Sequence, residues 1–514
     1  MYTEIQLRIL PDEAIDEEMV KSTAARQLGV NKTRIKHIDI IKRSVDARHK
    51  PVLLNLLLGI HLDEIERKEP VFTPVYRDVS DKEQVLVVGA GPAGLFAALR
   101  LIEKGFCPVI LERGKCIADR KKDLKELYRT GVVNEDSNFG FGEGGAGTFS
   151  DGKLFTRSKK RGNIQRILEI MTYHGADPTI LIDAHPHIGT DKLAVVIERM
   201  RGTIEQYGGK VLFNKRVSDL ILDKESVRGV VADGEEYYSR YVVLATGHSA
   251  RDTYRLLHAR GVLLEPKDFA VGLRLEHLQS DIDRIQYHST TGRGDYLPAA
   301  EYNFVTNVDG RGVYSFCMCP GGVVVPAATG KEQQVVNGMS SSARNTPWAN
   351  SAIVTSIGEK ELAQMKFNGL FAGMEFQEFI EKKAWQQGGE RLHAPAQVLT
   401  DFLSGKFSNI LPTTSYKPGV NSSEMHEWLP GFLYNRLKSG IKYFGTRASG
   451  FVTDKAILLG VESRTSSPVR IPRNAENRMH VIVKGLFPCG EGSGYAGGIV
   501  SAAMDGENSV ECIF

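Results

Sequence analysis

Apolar residues form two uninterrupted runs, at 85–88 and 107–111, with a helical pattern between them. The first run leads into Gly89-Ala90-Gly91-Pro92-Ala93-Gly94, and alanines and leucines then recur with helical spacing from 95 to about 103. Short apolar runs bounded by glycine predict buried strands, and the spaced repeat between them predicts a helix. The stretch therefore predicts a β-strand, a helix and a second, parallel β-strand.

The glycines of this stretch have the spacing GxGxxG, which in a strand-turn-helix context indicates a dinucleotide-binding turn. Gly89 permits the tight turn, Gly91 lets the backbone approach a pyrophosphate, and Gly94 allows close helix packing. Glu112 ends the second strand, where an acid can accept hydrogen bonds from a ribose diol. The alternatives are a glycine-rich turn in an ordinary α/β domain and a membrane-spanning helix. Glycines and a proline inside the apolar stretch disfavour the second alternative.

Residues 1–80 predict a small separate α+β domain. A strand at 4–10, a helix that begins near Pro11 and ends at Gly29, and strands at 34–43 and 52–62 give the order β-α-β-β. Residues 71–82 have few periodic apolar positions and predict a linker. The basic segment 31–50 is interpreted as the solvated face of a strand, and the alternative is a docking surface for RNA or a protein partner.

A glycine-rich stretch with interleaved phenylalanines follows at 138–156. It predicts a loop that brings backbone close to a flat ligand, because a flexible linker would rarely carry those aromatic residues. Helices are predicted at 163–175 and 190–208. An antiparallel meander is predicted from four short strands, at 210–217, 218–223, 228–232 and 236–241, and an apolar strand that ends in Ala245-Thr246-Gly247 closes it.

Residues 262–450 contain no second GxGxxG and predict an inserted domain that caps a cofactor. Within it, strand alternation places Cys317 and Cys319 on one face. The pair is either a redox dithiol or two buried small side chains beside a turn, and the second interpretation is favoured because free cysteines are commonly buried. His185 and His187 form an HxH pair, but no metal site is predicted because no cluster with convincing ligand spacing surrounds them.

The last stretch repeats the pattern of a strand, a glycine loop and a helix. Gly490-Glu491 ends the strand, and Glu491 could accept hydrogen bonds from ribityl hydroxyls. The amides of Gly497, Gly498 and Ile499 begin the helix and could meet the anionic end of a reduced flavin ring. This end of the chain would complete the sheet that begins at residue 85.

Amino-acid composition indicates the number of domains and the cellular compartment more clearly than it indicates the reaction. The chain has 514 residues, which suggests two to four domains, and 65 basic residues nearly balance 62 acidic ones. That balance gives no reason to expect nucleic acid or a membrane as partner. Six scattered cysteines fit a reducing cytosol, and the N-terminal residues lack the plan of a signal peptide. We therefore expect a cytoplasmic protein.

These motifs together resemble the glutathione-reductase-type FAD fold. More narrowly, the chain resembles a bacterial family of FAD-dependent dehydrogenases. The resemblance covers nearly the whole chain and rests on residues 89–94 together with KRSVDAR at 42–48, FGEGGAGTFSDGKL at 141–154, FCMCPGG at 316–322, GVESRTSSPVRI at 460–471 and CGEGSGYAGGIVSAAMDG at 489–506. Glu491 departs from the broader fold, where Asp is usual.

The resemblance implies an α/β fold: a Rossmann-like FAD/NAD(P)-binding domain, an inserted α+β capping domain and a small N-terminal α+β domain. The expected boundaries are 1–80, 81–261, 262–450 and 451–514. It further implies that FAD is the cofactor and that these residues bind it: Gly89, Ala90, Gly91, Pro92, Ala93, Gly94, Glu112, Arg113, Gly144, Gly145, Ala146, Gly147, Ser150, Val217, Ala245, Thr246, Gly247, Gly490, Glu491, Gly497, Gly498 and Ile499.

The expected activity is an FAD-dependent oxidoreductase that passes hydride or electrons through flavin N5. Its substrate is expected to be a small molecule, with NAD(P)H as a diffusible donor or a protein as electron-transfer partner. Arg464, flanked by small hydroxyl residues, is a candidate clamp for an anionic substrate, and the alternative is an arginine paired with an acid of the protein. A flavoprotein hydroxylase and an RNA-directed flavoprotein are the other functions considered.

Overall fold

The computed structural model describes residues 1–63, 72–156 and 162–513. Its N-terminal part is a three-stranded antiparallel sheet in the order β1-β3-β2, covered by one helix: β1 (Tyr2–Ile9), α1 (Glu17–Leu28), β2 (Ile35–Asp46) and β3 (Leu53–Leu62). The Asp16 side chain accepts hydrogen bonds from the first turn of α1, and Gly29 ends the helix in the left-handed conformation. Leu58 and Ile60 pack with Ala24 in a core of their own. The predicted β-α-β-β order is confirmed.

One edge of this sheet contacts the rest of the chain at Arg43. Its amide donates to the carbonyl of Ile182 (2.8 Å), and its carbonyl accepts from the amide of Ala184 (2.9 Å). Its guanidinium pairs with Asp183 at 2.8 Å. Arg43, one of the basic residues of segment 31–50, therefore pairs with an acid of the same chain.

The predicted linker at 71–82 is wrong for the part that the structure describes, which begins at Phe72. Phe72 and Tyr76 pack against the core of the following part, and Val79 is fully buried within it. The Val79 amide also donates to the carbonyl of Tyr207 at 3.0 Å. The large apolar residues of this segment have no clear period, so the sequence pattern did not predict their burial. They are buried by α-helices that lie far along the sequence. Residue 71 of the prediction lies outside the described residues.

Deleting residues 1–62 is expected to leave the remainder folded, because the N-terminal part has its own core. It contacts the rest at the β2 edge and at the β2–β3 connection, where Ala47 and Val52 pack against the core of the capping part. The Arg43–Asp183 pair is 40% and 31% exposed, so it contributes at most about 1 kcal/mol. Circular dichroism should show one cooperative thermal transition for the truncated protein. Full-length Arg43→Ala is the control for loss of the contact alone. A truncated protein without a cooperative transition would show that the N-terminal part is integral to the fold.

The next part contains the predicted βαβ unit and three further helices. Its elements are β4 (Gln84–Val88), α2 (Pro92–Lys104), β5 (Cys107–Leu111), α3 (Ile117–Thr130), α4 (Ile164–Tyr173), α5 (Thr190–Gln206) and β6 (Lys210–Leu212). β4, β5 and β6 pair in parallel. The assignment of 210–217 to the meander is therefore a correction. Its first three residues form β6, an edge strand of the parallel sheet, and the chain turns before the meander begins.

The meander has three strands and leads into the strand with the Ala-Thr-Gly end: β7 (Val217–Asp223), β8 (Ser226–Ala232), β9 (Glu235–Tyr238), β10 (Val242–Leu244), followed by α6 (Arg251–Ala259). β10 pairs in parallel with β4, which brings residues 245–247 beside the glycine turn. The predicted meander and the predicted strand are thus both present, and the meander has three strands instead of four.

The capping part is built on a seven-stranded mixed sheet. Its elements are β11 (Glu265–Pro266), β12 (Phe269–Leu278), α7 (Gln279–Gln286), β13 (Val305–Val308), β14 (Arg311–Cys319), β15 (Val323–Pro326), β16 (Val336–Met339), β17 (Trp348–Ile357), α8 (Glu359–Gln364), α9 (Ala372–Gln387), β18 (Ala394–Val398), α10 (Leu399–Ser404), β19 (Val420–Ser422), α11 (Met425–Trp428), α12 (Gly431–Arg447) and β20 (Ile457–Glu462). The sheet order is β13-β14-β17-β12-β20-β18-β19. Because β20 belongs to it, this sheet continues beyond residue 450, the predicted end of the inserted domain.

The chain then returns to the parallel sheet through β21 (Val469–Arg470), β22 (Leu486–Pro488) and α13 (Ile499–Val510). The completed sheet has the order β22-β10-β4-β5-β6. α13 crosses α2 so closely that a Cβ at Gly506 would overlap the Ala93 carbonyl oxygen. The predicted α/β fold is confirmed. Among the residues that the structure describes, none of the helices combines the length and apolarity that crossing a lipid bilayer requires.

Candidate functional site

The three glycines of the fingerprint differ in what surrounds them. Gly89 has φ +104°, and a Cβ there would lie 2.5 Å from the carbonyl oxygen of Ala245. A Cβ at Gly94 would overlap the Gly89 carbonyl oxygen, so α2 could not approach β4 with a larger residue. A Cβ at Gly91 would meet no atom within 4 Å. Open space therefore lies where the N-terminus of α2 presents unpaired amides, as an anion site requires.

Glu112 lies beside this turn and is buried. Its carboxylate accepts from the amides of Ala90 (2.8 Å), Gly114 (2.9 Å) and Gly142 (3.0 Å). A carboxylate has about four lone-pair positions, so these three bonds leave one for a hydroxyl. Backbone amides hold the Glu112 side chain in place, and this fixed acceptor suits a ribose.

The adjacent Arg113 is held on three sides. It donates to Asp136 at 2.8 Å and to Asp252 at 2.9 Å, and its guanidinium lies 4.2 Å from the centre of the Phe141 ring. Both acids raise its pKa, although burial opposes this. These contacts fix Arg113 at the entrance to the space beside Glu112.

The glycine-rich loop lies across the fingerprint turn. The Gly144 amide donates to the carbonyl of Ala90 at 2.8 Å, and a Cβ at Gly145 would lie 3.3 Å from Cα of Gly91. Gly144 and Gly145 both have positive φ, at +78° and +61°. Ala146 and Gly147 form a short 3-10 turn together with Gly145, and the Ser150 hydroxyl donates to the Gly147 carbonyl (2.7 Å). The loop and the turn thus form two walls of one space.

Arg120 supports this loop and was missed from the sequence. It is fully buried on α3 and donates to the carbonyls of Asn138 (2.8 Å), Phe139 (2.9 Å) and Glu143 (2.8 Å). Burial lowers the pKa of Arg120 to about 10, although nearby acids partly offset this. Nothing in the sequence separates it from the other cations of α3. Only the structure shows that its guanidinium shapes the loop.

The Ala245-Thr246-Gly247 end of β10 forms the third wall. The Ala245 amide donates to the carbonyl of Val88, and a Cβ at Gly492 would lie 2.5 Å from the Gly247 carbonyl oxygen. The two glycine loops therefore meet at this strand end. Val217 begins β7 and pairs with Ala232 in the meander, and its predicted contact with FAD stays a prediction.

Glu491 lies at the C-terminal loop, partly exposed, and contacts His248 at 3.1 Å through Nδ1. The other nitrogen of His248 lies 2.9 Å from the carbonyl oxygen of Arg464. His248, the residue after Gly247, was also missed, because a single histidine after a strand carries no signal by itself. It fixes the longer side chain that replaces the usual Asp.

The helix start at the end of the chain is open. Gly498 is the N-cap of α13, and a Cβ at Gly497 would meet no atom within 4 Å. Gly490 donates its amide to Asp505 of the same helix at 2.8 Å. Two helix N-termini, α2 and α13, therefore face glycine-lined open space. This arrangement, together with the free acceptor of Glu112, fits FAD.

Arg464 is a correction to the predicted substrate clamp. Its guanidinium is bidentate on Glu381, through Nε (3.0 Å) and Nη2 (2.9 Å), and it also donates to Thr329 (2.6 Å) and Gln333 (2.8 Å). The side chain is only 7% exposed. The alternative, an arginine paired with an acid of the protein, therefore describes it. The partner is Glu381, because α9 packs against the segment that follows β20.

A charged cluster connects the end of the glycine-rich loop to the capping part. Asp151 pairs with Arg344, and the Lys153 ammonium lies 3.2 Å from Glu301, which also contacts His185. Glu301 and Asp151 raise the pKa of Lys153, although burial opposes this. His187 instead lies 3.3 Å from the carbonyl oxygen of Ser342, so the two histidines of the HxH pair have different partners.

Comparison with known proteins shows the family of the chain. The family model of pyridine nucleotide-disulphide oxidoreductases matches residues 83–274. The model described as "FAD-dependent protein, C-terminal domain-like" matches residues 268–465. A model of a domain of unknown function matches residues 1–61. An uncharacterized protein of Clostridium beijerinckii is 38% identical over 520 residues, covering 97% of this chain and 96% of that protein. The chain belongs to this family of FAD-dependent oxidoreductases.

Two more distant likenesses cover different shares of the chain. Protein FixC of Escherichia coli (strain K12) is 28% identical over 211 residues, and the match spans 40% of this chain and 46% of FixC. The crystal structure of glycine oxidase from Bacillus cereus aligns with 84% of this chain and 95% of that one, at 11% identity and a TM-score of 0.31. Neither the hydroxylase nor the RNA-directed alternative gains support from these comparisons. The protein is an FAD-dependent oxidoreductase.

Proposed function

We propose that this oxidoreductase binds a small anionic substrate at the junction of the glycine-rich loop and the capping part, beside Lys153. The observation that carries the proposal is the position of Lys153, three residues after Ser150 in the glycine-rich loop that lines the FAD space. Its contact with Glu301 at 3.2 Å uses one of the three donors of the ammonium group. When bound, FAD would supply hydride or electron transfer through N5. Lys153 would attract and orient the substrate.

The proposed cofactor contacts follow from the walls of the space. The N-terminus of α2 with Gly91 would hold the pyrophosphate, and Glu112 would accept from the ribose. Glu491 would accept from ribityl hydroxyls, and the N-terminal amides of α13 would face the electron-rich side of the ring. The remaining predicted residues would contribute backbone to the same walls.

Lys153, Glu301 and His185 form a short row of groups that can hold protons, and Lys153 is the inner end of this row. Its ammonium contacts one oxygen of Glu301, and His185 contacts the other. His185 is 62% exposed, so the row reaches solvent. The His185 contact and the Lys153 charge lower the pKa of Glu301, although burial opposes this. Glu301 would therefore stay ionised and keep Lys153 protonated, and exchange with water would occur at His185.

Lys153→Met is expected to weaken binding of small carboxylates about tenfold or more, since a charge-assisted contact is worth roughly 1.5–3 kcal/mol. Acetate, pyruvate and succinate are titrated against the holoenzyme while the flavin absorption band is followed. FAD content should stay unchanged. Lys122→Met is the matched control, because Lys122 is an exposed partner of Asp119. Equal affinities in Lys153→Met and the wild type, or no carboxylate that perturbs the band, would contradict the proposal.

The electron donor is proposed to be diffusible, because residues 262–450 carry no second dinucleotide fingerprint. NAD(P)H or a reduced electron-transfer protein would meet this requirement. Anaerobic addition of NADH, NADPH or reduced ferredoxin to the oxidised holoenzyme, with the loss of flavin colour as readout, separates these donors.

A further inference from the structure

The Cys317-Met318-Cys319 segment does not follow the alternation that the sequence predicts. Phe316 pairs with Ala352 and Cys319 pairs with Asn350, so β14 contains one residue more than β17 between these two pairs. Cys317 has φ +48°, in the left-handed region, which is costly for a residue with a side chain. β14 therefore has a bulge at its two cysteines, and such strain is concentrated at functional sites.

A buried arginine holds this bulge. Arg274 on β12 is fully buried, and its Nη2 donates to the Cys317 carbonyl oxygen (2.8 Å) and to the Cys319 sulfur (3.3 Å). Its Nη1 lies 3.4 Å from Glu462 on β20. A fixed cation beside a thiol favours the thiolate, which is the reactive form. The bulge thus brings two thiols, a cation and an acid together.

The two thiols have unequal surroundings. Cys317 is half-buried, whereas Cys319 is fully buried. A hydrogen bond from Cys319, helped by Arg274 and Lys153, lowers the pKa of Cys317 to about 6, although burial opposes this. The same contact and burial raise the pKa of Cys319. Burial raises the pKa of Glu462 to about 7, although Arg274 opposes this. The sulfur of Cys317, the less buried of the two residues, is therefore the nucleophilic one.

We propose that Cys317 and Cys319 are a redox-active dithiol that reduces small disulfides, with Cys317 attacking and Cys319 resolving. The Cys317 thiolate attacks one sulfur of the disulfide RSSR, whose S–S bond breaks and releases RS⁻. Cys319 then gives its proton to the RS⁻ released in the first step and attacks the Cys317 sulfur. The second RS⁻ leaves as the Cys317–Cys319 bond forms. Two electrons pass to RSSR, and two RSH and one protein disulfide result. This couple is argued from the bulge of β14 and Arg274 rather than from the carboxylate site proposed at Lys153, although the Lys153 charge also favours the Cys317 thiolate.

The test uses the holoenzyme and the small disulfide 5,5′-dithiobis(2-nitrobenzoate), with release of the coloured thiol as readout. The wild type should release two coloured thiols per chain in its fast phase. Its tryptic peptide 312–331 should then carry an internal disulfide, two hydrogen atoms lighter than the reduced peptide. The fast phase should depend on pH with a midpoint near 6, below the ordinary thiol value of about 8.5.

Two variants separate the roles of the thiols. Cys317→Ser should lose the fast phase, with a rate at least about tenfold lower at pH 7, since Cys319 is neither exposed nor ionised. Cys319→Ser should release one coloured thiol and keep a stable mixed disulfide on Cys317. Cys116→Ser and Cys512→Ser are the controls and should keep the fast phase. FAD content and Tm establish that each variant is folded.

Three outcomes would overturn the proposal. In the first, the fast phase survives in Cys317→Ser. In the second, the wild type keeps a stable adduct on Cys317 without forming the internal disulfide. In the third, the midpoint of the pH profile lies at the value of an ordinary thiol. The sequence interpretation, two buried thiols without a redox role, would then stand.

Discussion

Gly91→Val is expected to give a folded protein that no longer retains FAD. A Cβ at Gly91 meets no atom of the protein within 4 Å, and the residue has φ −76°, which a side chain tolerates. The new side chain would instead occupy the space where the α2 amides face the pyrophosphate. We expect affinity to fall at least about a hundredfold, or roughly 2.7 kcal/mol. The ratio of flavin to protein absorbance and the identity of the released flavin measure this.

The matched control is Gly94→Ala, three residues along the same turn. Here the added Cβ overlaps the Gly89 carbonyl oxygen, so strand and helix must separate. The expected cost is about 1–3 kcal/mol of folding stability, with or without cofactor. The two variants therefore separate a cofactor effect from a packing effect. Full FAD content in Gly91→Val, or released flavin identified as FMN, would contradict the assignment.

The βαβ unit could be predicted from the sequence because its determinants are local. The glycine spacing, the apolar runs and Glu112 lie within 28 residues, and each keeps its meaning without knowledge of the rest of the chain. The N-terminal β-α-β-β order is equally local. The predicted end of its helix, Gly29, is the C-cap in the structure, whereas the helix begins at Glu17 after the N-cap Asp16 rather than near Pro11.

What the sequence could not supply depends on contacts between distant segments. Arg120 is one cation among several on α3 until the glycine-rich loop folds over it. Residues 72–82 look like a linker until α4 and α5 provide a surface for Val79. The bulge at Cys317 requires the register of β14 against β17, which alternation within one strand cannot show. Contacts between distant segments therefore determine which residues support the site, whereas the cofactor fingerprint is determined by local sequence.

Arg464 shows the same limit for a charged residue. The hydroxyl residues around it suggested a site for a substrate anion, and the guanidinium is indeed bidentate on a carboxylate. That carboxylate belongs to Glu381, 83 positions earlier in the chain. A sequence can indicate that an arginine has an anionic partner, but it does not distinguish a ligand from an acid of the protein.

Glu381→Gln is expected to destabilise the protein by about 3–5 kcal/mol, because it leaves two buried cations without their counter-charge. Glu381 is fully buried and accepts bidentate pairs from both Arg251 (2.9 and 2.7 Å) and Arg464 (3.0 and 2.9 Å). Glutamine keeps the volume but offers one acceptor oxygen and brings two new donors toward the guanidinium groups. Denaturant unfolding, with the slope checked for two-state behaviour, measures the loss.

The pH dependence gives a second, independent readout of the same carboxylate. Arg251 and Arg464 hold the pKa of Glu381 below its ordinary value of 4.5, although burial opposes this. Ionised Glu381 therefore stabilises the fold above about pH 4.5, and this contribution is lost as the pH falls toward the folded-state pKa. Glu381→Gln should lose less stability than the wild type between pH 5 and 3. Glu332→Gln, which removes an exposed pair with Lys382, should change the free energy of unfolding by at most about 1 kcal/mol. If both variants behave alike, the buried network does not stabilise the fold.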